Sequence, residues 1–223
     1  MKNLFIARPR KRLQSTLRRH LLLCVAAIFV GQAPPASARD DAAFQSALEV
    51  PAVQKQALQL ARHALLLWFA SGRIMAAPTK LSPVLKQRCG VIATIEKRGQ
   101  IQPRGCRGTL APARLDLATE IIHNIISAAT RDERVAKLRR EELNQCRISL
   151  TIILATPAIA SLSGHDASRN GLIAQRGDQI GLVLPFEGHD SVTQLRWAKR
   201  KANLRDDAAV SLREVIAVRF RED

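Results

Sequence analysis

One order of elements occurs twice in this chain, and it limits the fold more than any other feature. Residues 90–95 read as a strand, Lys97-Arg98-Gly99 as a turn, and a returning strand leads into Arg104 and on to Leu110. Pro112 opens a helix whose apolar stripe is Ala118, Ile121, Ile122, Ile125, Ile126 and Ala129, recurring at three and four. A strand at 146–155 then puts Ile148, Leu150, Ile152 and Leu154 on one face, because side chains alternate along a strand. The second round runs through 171–174, a turn at Arg176-Gly177-Asp178, a return at 180–184, a helix over roughly 190–204 and a final strand alternating Ile216, Val218 and Phe220. Two hairpin–helix–strand units predict a duplicated α+β fold with a mostly antiparallel sheet. The repeat lies in element order, not in residue identity.

An extra N-terminal helix precedes the first unit. Pro51 suits a first helical position, where its missing N–H costs nothing. Val53, Ala57, Leu60, Ala61, Ala64, Leu65 and Trp68 form its apolar stripe, which ends near Ser71-Gly72. Residues 39–50 read as a loose lead-in, and 73–88, with Pro78 and Pro83, as a connector. Residues 51–223 are thus one α+β domain. A 47% hydrophobic content suffices for its core, built mostly of Leu, Ile, Val and Ala because aromatics make up only 4%.

The first 38 residues have a different character. A basic segment, 1–20, precedes a compact apolar run at 21–30, and Ala36-Ser37-Ala38 matches an A-x-A cleavage pattern. This order is that of a secretory signal peptide. The apolar run is too short to span a bilayer, so cleavage is expected rather than anchoring. Arg18-Arg19-His20-Leu21-Leu22 also fits a twin-arginine signal, which leaves the Sec and twin-arginine routes both open. The expected location is the periplasm. Cys24 leaves with the leader, and no small residue stands just before it as a lipidated cysteine requires.

Export also changes the charge. The chain carries +16, but residues 1–38 hold seven Lys/Arg and no acid; the rest has 28 basic against 19 acidic residues, or +9. That excess favours acidic partners: a small anionic ligand, an acidic protein surface or lipid headgroups. Nucleic acid is disfavoured by export and by the scarcity of stacking aromatics.

The most unusual stretch is Arg104-Gly105-Cys106-Arg107-Gly108-Thr109. Glycines that adopt positive φ would let successive amides converge into an anion-binding hollow. Arg104 and Arg107 would then stabilise a thiolate at Cys106, and Gly108 and Thr109 would help to bind an oxyanion. Against this stands the bland reading, a cysteine in a tight, inert strand end.

These motifs resemble those of the AMMECR-one family, whose hallmark is an Arg-Gly-Cys-x-Gly-Thr loop. The likeness is a string of ordered segments. Leu60-Ala61-Arg62-His63-Ala64 resembles the family's first helix, and Ala128-Ala129-Thr130-Arg131-Asp132-Glu133-Arg134 its Ala-Ala-x-Arg-Asp-x-Arg segment. Ile148-Ser149-Leu150 with Thr156-Pro157 resembles its central strand, and Gly181-Leu182-Val183-Leu184-Pro185 its second hairpin. Pro103 and Arg107 replace residues that are usually apolar. The resemblance implies the same duplicated α+β fold and a regulatory or adaptor domain. It also implies a site in which Arg131, Asp132 and Arg134 join Arg104, Gly105, Cys106, Arg107, Gly108 and Thr109.

Three cysteines remain after cleavage. In an uninterrupted hairpin centred between Lys97 and Arg98, Cys89 would face Cys106, and a disulfide there is open in an oxidising compartment, although Pro103 disturbs that register. Cys146 shares the parity of Ile148 and reads as core. No Cys-x-x-Cys occurs and no metal or cofactor is expected. Three functional readings follow. The first is an exported ligand-binding or regulatory module centred on Cys106. The second is an enzyme using Cys106 as nucleophile or redox thiol, although no complete catalytic set is recognisable. The third is a membrane-surface binder using the basic helix face from Arg196 to Lys201 and on to residue 205.

Overall fold

The computed structural model describes residues 41–100 and 102–223; the leader lies outside the described residues. Among the described residues four helices, α1 (Asp41–Leu48), α2 (Pro51–Ser71), α3 (Leu117–Thr130) and α4 (Ser191–Lys201), combine with seven strands. These are β1 (Gly90–Lys97), β2 (Pro103–Gly108), β3 (Cys146–Ala155), β4 (Ala158–Ile159), β5 (Gly171–Arg176), β6 (Gln179–Val183) and β7 (Ser211–Arg221). The sheet order is β2-β1-β3-β7-β5-β6, with β4 beside β7, and every pairing is antiparallel. Each unit closes on its last strand, β3 or β7, and these two strands pair with each other. The duplicated α+β reading therefore holds, and the two units are joined through equivalent strands.

Helix placement follows from strand parity. Val91, Ala93, Ile95, Ile148, Leu150 and Ile152 are buried in one core with α1, α2 and α3. Ala174 and Val183 pack on Ala198 of α4. Leu212, Ile216, Val218 and Phe220 share one face of β7, and its members join both of those helix-side clusters. All helices thus lie on one side of a curled sheet. On the other, inner side, Ile92, Ile153, Ile173, Leu182, Leu184 and Val215 from the two units meet in a second apolar cluster.

Two element boundaries differ from the sequence expectation. The lead-in at 39–50 contains α1, because Phe44 and Leu48, one turn apart, bury against the main core. Helix α3 begins at Leu117 rather than at Pro112. Asp116 caps it by accepting the Thr119 amide at 2.7 Å, and buried Glu120 takes the amides of Ala113 and Arg114, which holds 112–116 outside the helix.

Long side chains tie the layers together. Arg62 of α2 reaches the carbonyls of Leu143 at 3.2 Å and Cys146 at 3.1 Å, and the Glu222 carboxylate. In the second unit buried His165 lies between Glu214 at 2.7 Å and Gln194 at 2.8 Å, while the Gln194 amide nitrogen donates to the carbonyls of Ala167, Asn170 and Gly188. This network fastens the connector 160–170 to α4 and β7.

Candidate functional site

The Arg-Gly-Cys stretch is not a loop. It is the edge strand β2, and neither Gly105 nor Gly108 has a positive φ. Its glycines serve close packing instead. A Cβ on Gly105 would stand 2.1 Å from the Ala128 carbonyl oxygen of α3, and one on Gly108 would stand 2.4 Å from the Val91 carbonyl oxygen. Nor do the amides form an anion hollow. The Cys106 amide donates to Asp132 at 2.9 Å and the Thr109 amide to the Val91 carbonyl at 3.1 Å. Thr109 buries its hydroxyl with no hydrogen-bond partner among the described residues.

An edge strand exposes unpaired backbone groups, and the connector 131–145 covers those of β2. Asp132 accepts the Cys106 amide while Arg134 donates to the Cys106 carbonyl at 3.2 Å. Arg134 also grips Asp132 with both prongs of its guanidinium, at 2.7 and 2.6 Å. Burial pushes the Asp132 carboxyl up, but the bonds from Arg134 and the Cys106 amide outweigh it and hold it below its usual range. Arg104 adds a second clip. It pairs with Glu142 through two 2.8 Å bonds and donates to the carbonyls of Ala136 and Lys137.

Arg104 therefore does not bracket the sulfur as expected; its charge is spent on Glu142. Arg107 follows Cys106 on β2 and so stands on the other strand face, apart from the thiol. Arg131 is exposed at the end of α3.

The Arg104–Glu142 clip has a measurable consequence in acid. The bond from Arg104 lowers the Glu142 carboxyl from 4.5 to about 2. A carboxyl depressed in the folded state contributes stability that is complete above about pH 4.5 and is lost as the pH falls through about 2. Urea unfolding at a series of pH values is expected to show this loss in the wild type. Glu142→Gln should start less stable and lack that acid step; an unchanged acid limb would mean the pair contributes nothing to folding.

The Cys89–Cys106 pairing that the sequence left open is ruled out by register. Cys106 lies opposite Thr94, and the ladder slips between Ile95 and Glu96 where Pro103 enters, so the hairpin is longer than a symmetrical count allows. The three described cysteines form no disulfide with one another. Cys89 and Cys146 are core residues at 2% and 4% exposure, and burial pushes the Cys146 thiol up. Cys106 alone among them is half-exposed.

Its sulfur points to the inner face of the sheet, 3.4 Å from the Thr94 hydroxyl, which donates to it. Directly paired residues share a face. One row across β2, β1, β3 and β7 is therefore Cys106, Thr94, Ser149 and Arg221, and the next is Gly108, Ile92, Thr151 and Arg219. On the far side of the first row, Glu96 pairs with Arg147. Glu96 accepts from Arg147 and Ser149 at 2.8 and 2.9 Å and also from Arg219. Burial raises its pKa, and those bonds and charges more than reverse the effect, leaving it lowered.

None of Thr94, Glu96, Arg147, Ser149, Thr151 and Arg219 was expected at the site. The signal was the alternation of β3, whose polar Arg147, Ser149 and Thr151 occupy the face that its aliphatic residues leave open.

Among the described residues no group of three or more His, Cys, Asp and Glu is placed to hold a metal ion. None of the described helices is long and apolar enough to cross a membrane. The basic face of α4 is smaller than its sequence suggests. Lys199 and Lys201 are buried, with Nζ on the Asp206 carbonyl at 2.6 Å and on Glu187 at 2.7 Å, so Arg196 and Arg200 are the cations that face outward.

This architecture recurs in known proteins. The crystal structure of uncharacterized protein PH0010 from Pyrococcus horikoshii superposes with a TM-score of 0.70 at 24% identity, over 75% of this chain and 90% of that one. A protein of Thermofilum pendens is 32% identical over 169 residues, 68% of this chain and 79% of its own length. One of Methanosarcina mazei is 31% identical over 173 residues, 72% of this chain and 85% of its own. One of Thermotoga maritima reaches 37% over 124 residues, 54% and 70% of the two chains. The AMMECR1 family model matches residues 58–223, a span that takes in both units, the Cys106 strand and the connector that clips it. Most of α2 and everything after it thus carries one family's pattern, and the chain belongs to the AMMECR1 family.

Proposed function

We propose that the mature chain is an exported binding module whose ligand contacts the inner sheet face around Cys106. The single observation that carries this reading is the split between the two sides of β2. Asp132, Arg134, Arg104 and Glu142 fix the open edge of the strand, and the thiol stands half-exposed on the inner face, beside the Thr94 hydroxyl and against the inner apolar cluster. A contact group whose backbone is pinned this way loses little entropy on binding. Release outside the cytoplasm rests on the leader, with its basic segment, apolar run and Ala36-Ser37-Ala38.

Binding is favoured over nucleophilic catalysis because the group facing the sulfur at 3.4 Å is the Thr94 hydroxyl, not a base. Asp132 engages the Cys106 amide rather than its thiol. His63 and His123 stand on α2 and α3, on the other side of the sheet. An open hollow of about 500 Å³ lined by Arg176, Asn203, Leu204, Arg205, Asp207, Ala208 and Ala209 belongs to the second unit alone. Its Arg205 and Asp207 pair with each other, so it is the weaker candidate.

A metabolite screen on ¹⁵N-labelled protein tests the reading. A true ligand is expected to move the amide signals of Thr94, Cys106 and Ser149, and Cys106→Ala should weaken it about tenfold without lowering the melting temperature. Ligands whose shifts map to α4 or to residues 203–209, unaffected by Cys106→Ala, would refute it.

A further inference from the structure

The inner face is divided in two along its strands. On β1 it runs from Ile92 to Thr94 and Glu96, on β3 from Ile153 to Thr151, Ser149 and Arg147, and on β7 from Val215 and Ala217 to Arg219 and Arg221. The apolar half is filled by the contact between the two units. The polar half holds three guanidinium groups, Arg147, Arg219 and Arg221, against one carboxylate, Glu96. Glu96 takes one nitrogen from Arg147 and one from Arg219, the latter also donating to the Ser149 hydroxyl at 3.2 Å, and Arg221 forms no ion pair among the described residues. Each guanidinium carries five N–H donors, so most remain for another acceptor. Local charge and donor supply both exceed what the described residues use.

An aromatic ring stands at the same place. The Arg219 guanidinium carbon lies 4.1 Å from the centre of the Phe186 ring. Phe186 follows β6 with φ of 74° and is 40% exposed. A bulky residue at positive φ is strained and is kept only where its surroundings hold it. The part of the ring that is covered includes its contact with the Arg219 guanidinium. The ring covers one face of the guanidinium, which strips water from it and directs its remaining N–H groups.

From this we infer that the polar half of the inner face binds a small oxyanion, a carboxylate or phosphate, carried on a planar apolar body. The oxyanion meets the donors of Arg219, Arg147 and Arg221, and the planar body lies against Phe186 and the Cys106 side of the row. The inference rests on the proposed binding face and names the chemistry of what it takes. It involves no bond-making step.

Phenyl phosphate, benzoate, inorganic phosphate and benzyl alcohol are the probes, each titrated into ¹⁵N-labelled protein. Phenyl phosphate or benzoate is expected to saturate and to move the signals of Ser149, Phe186 and Arg219. Which of the two binds more tightly identifies the head group. Arg219→Met should weaken binding about tenfold or more, since a charge-assisted hydrogen bond is lost. Arg147→Gln, at a more exposed position, should weaken it by less and keeps the test open if Arg219→Met does not fold. Phe186→Gly removes the ring and the backbone strain together; it should raise the melting temperature yet weaken the aryl probes.

Equal binding of inorganic phosphate and phenyl phosphate would overturn the planar body. Equal binding of benzyl alcohol would overturn the anion site. Absence of saturation by either aryl anion, or binding unaffected by both arginine variants, would overturn the inference as a whole. Should the metabolite screen meanwhile yield a neutral or cationic ligand at Thr94, Cys106 and Ser149, the binding face would stand and only its assigned chemistry would fall.

Discussion

Gly105→Ala is expected to destabilise the protein by about 3 kcal/mol, read as a lower urea midpoint at unchanged slope. The cause is steric. The new methyl would sit 2.1 Å from the Ala128 carbonyl oxygen and 3.0 Å from its carbon, and both belong to the helix backbone rather than to a side chain that could turn away. Helix α3 would have to lift off β2, and Ala128, Ala129 and Asp132 would move with it. Gly99→Ala is the control. Nothing lies within 4 Å of its Cβ position, but its φ of 77° costs an alanine only about 1 kcal/mol. Equal losses at the two positions would mean that α3 does not need Gly105 for its approach.

Asp132→Ala is expected to cost about 3–5 kcal/mol, because it takes the carboxylate from the part-buried Arg134 guanidinium and leaves the Cys106 amide without its acceptor. The Asp132 side chain is 3% exposed and that of Arg134 15%, so water cannot fully replace the lost partner. The pH dependence has a definite sign. Asp132 lies below its ordinary value of 3.8 in the folded state, so its contribution is present above that pH and is lost as the pH falls further. Asp132→Asn should keep the shape of the connector, lose part of the stability and lack the acid-dependent component. A variant as stable as the wild type at neutral pH would show that the clip is not needed to hold β2.

Much of the fold was legible because it rests on periodicity. The isoleucine stripe of α3, the alternation of β3 and the paired hairpins all report burial of one face, which a sequence displays directly. Helix α1 was missed because one eight-residue helix with two buried apolar residues shows too little period. The Cys89–Cys106 pairing, which the sequence left open, fails on the length of the turn: Glu96 already pairs with Pro103, and the one-residue slip beyond it sets Cys106 opposite Thr94.

The nearness of the site residues was legible in the sequence, and their contacts were not. Arg104, Asp132, Arg134 and Cys106 do come together, yet the charges expected to face a thiolate secure a strand edge. Glycine was read as freedom to turn, whereas Gly105 is room for a helix. Arg219 and Phe186 had no local signal. They meet because β7 pairs with β3 and because the exit of β6 crosses the inner face, facts of topology rather than of neighbouring residues.

One labelling experiment reaches the centre of this account: brief iodoacetamide treatment of the native protein, followed by peptide mass mapping of every cysteine. Cys106 should be carboxamidomethylated in the folded state, while Cys89 and Cys146 should react only after denaturation. A native protein in which Cys106 stays as protected as those two, or is found bonded to one of them, would contradict a thiol held open on the inner face.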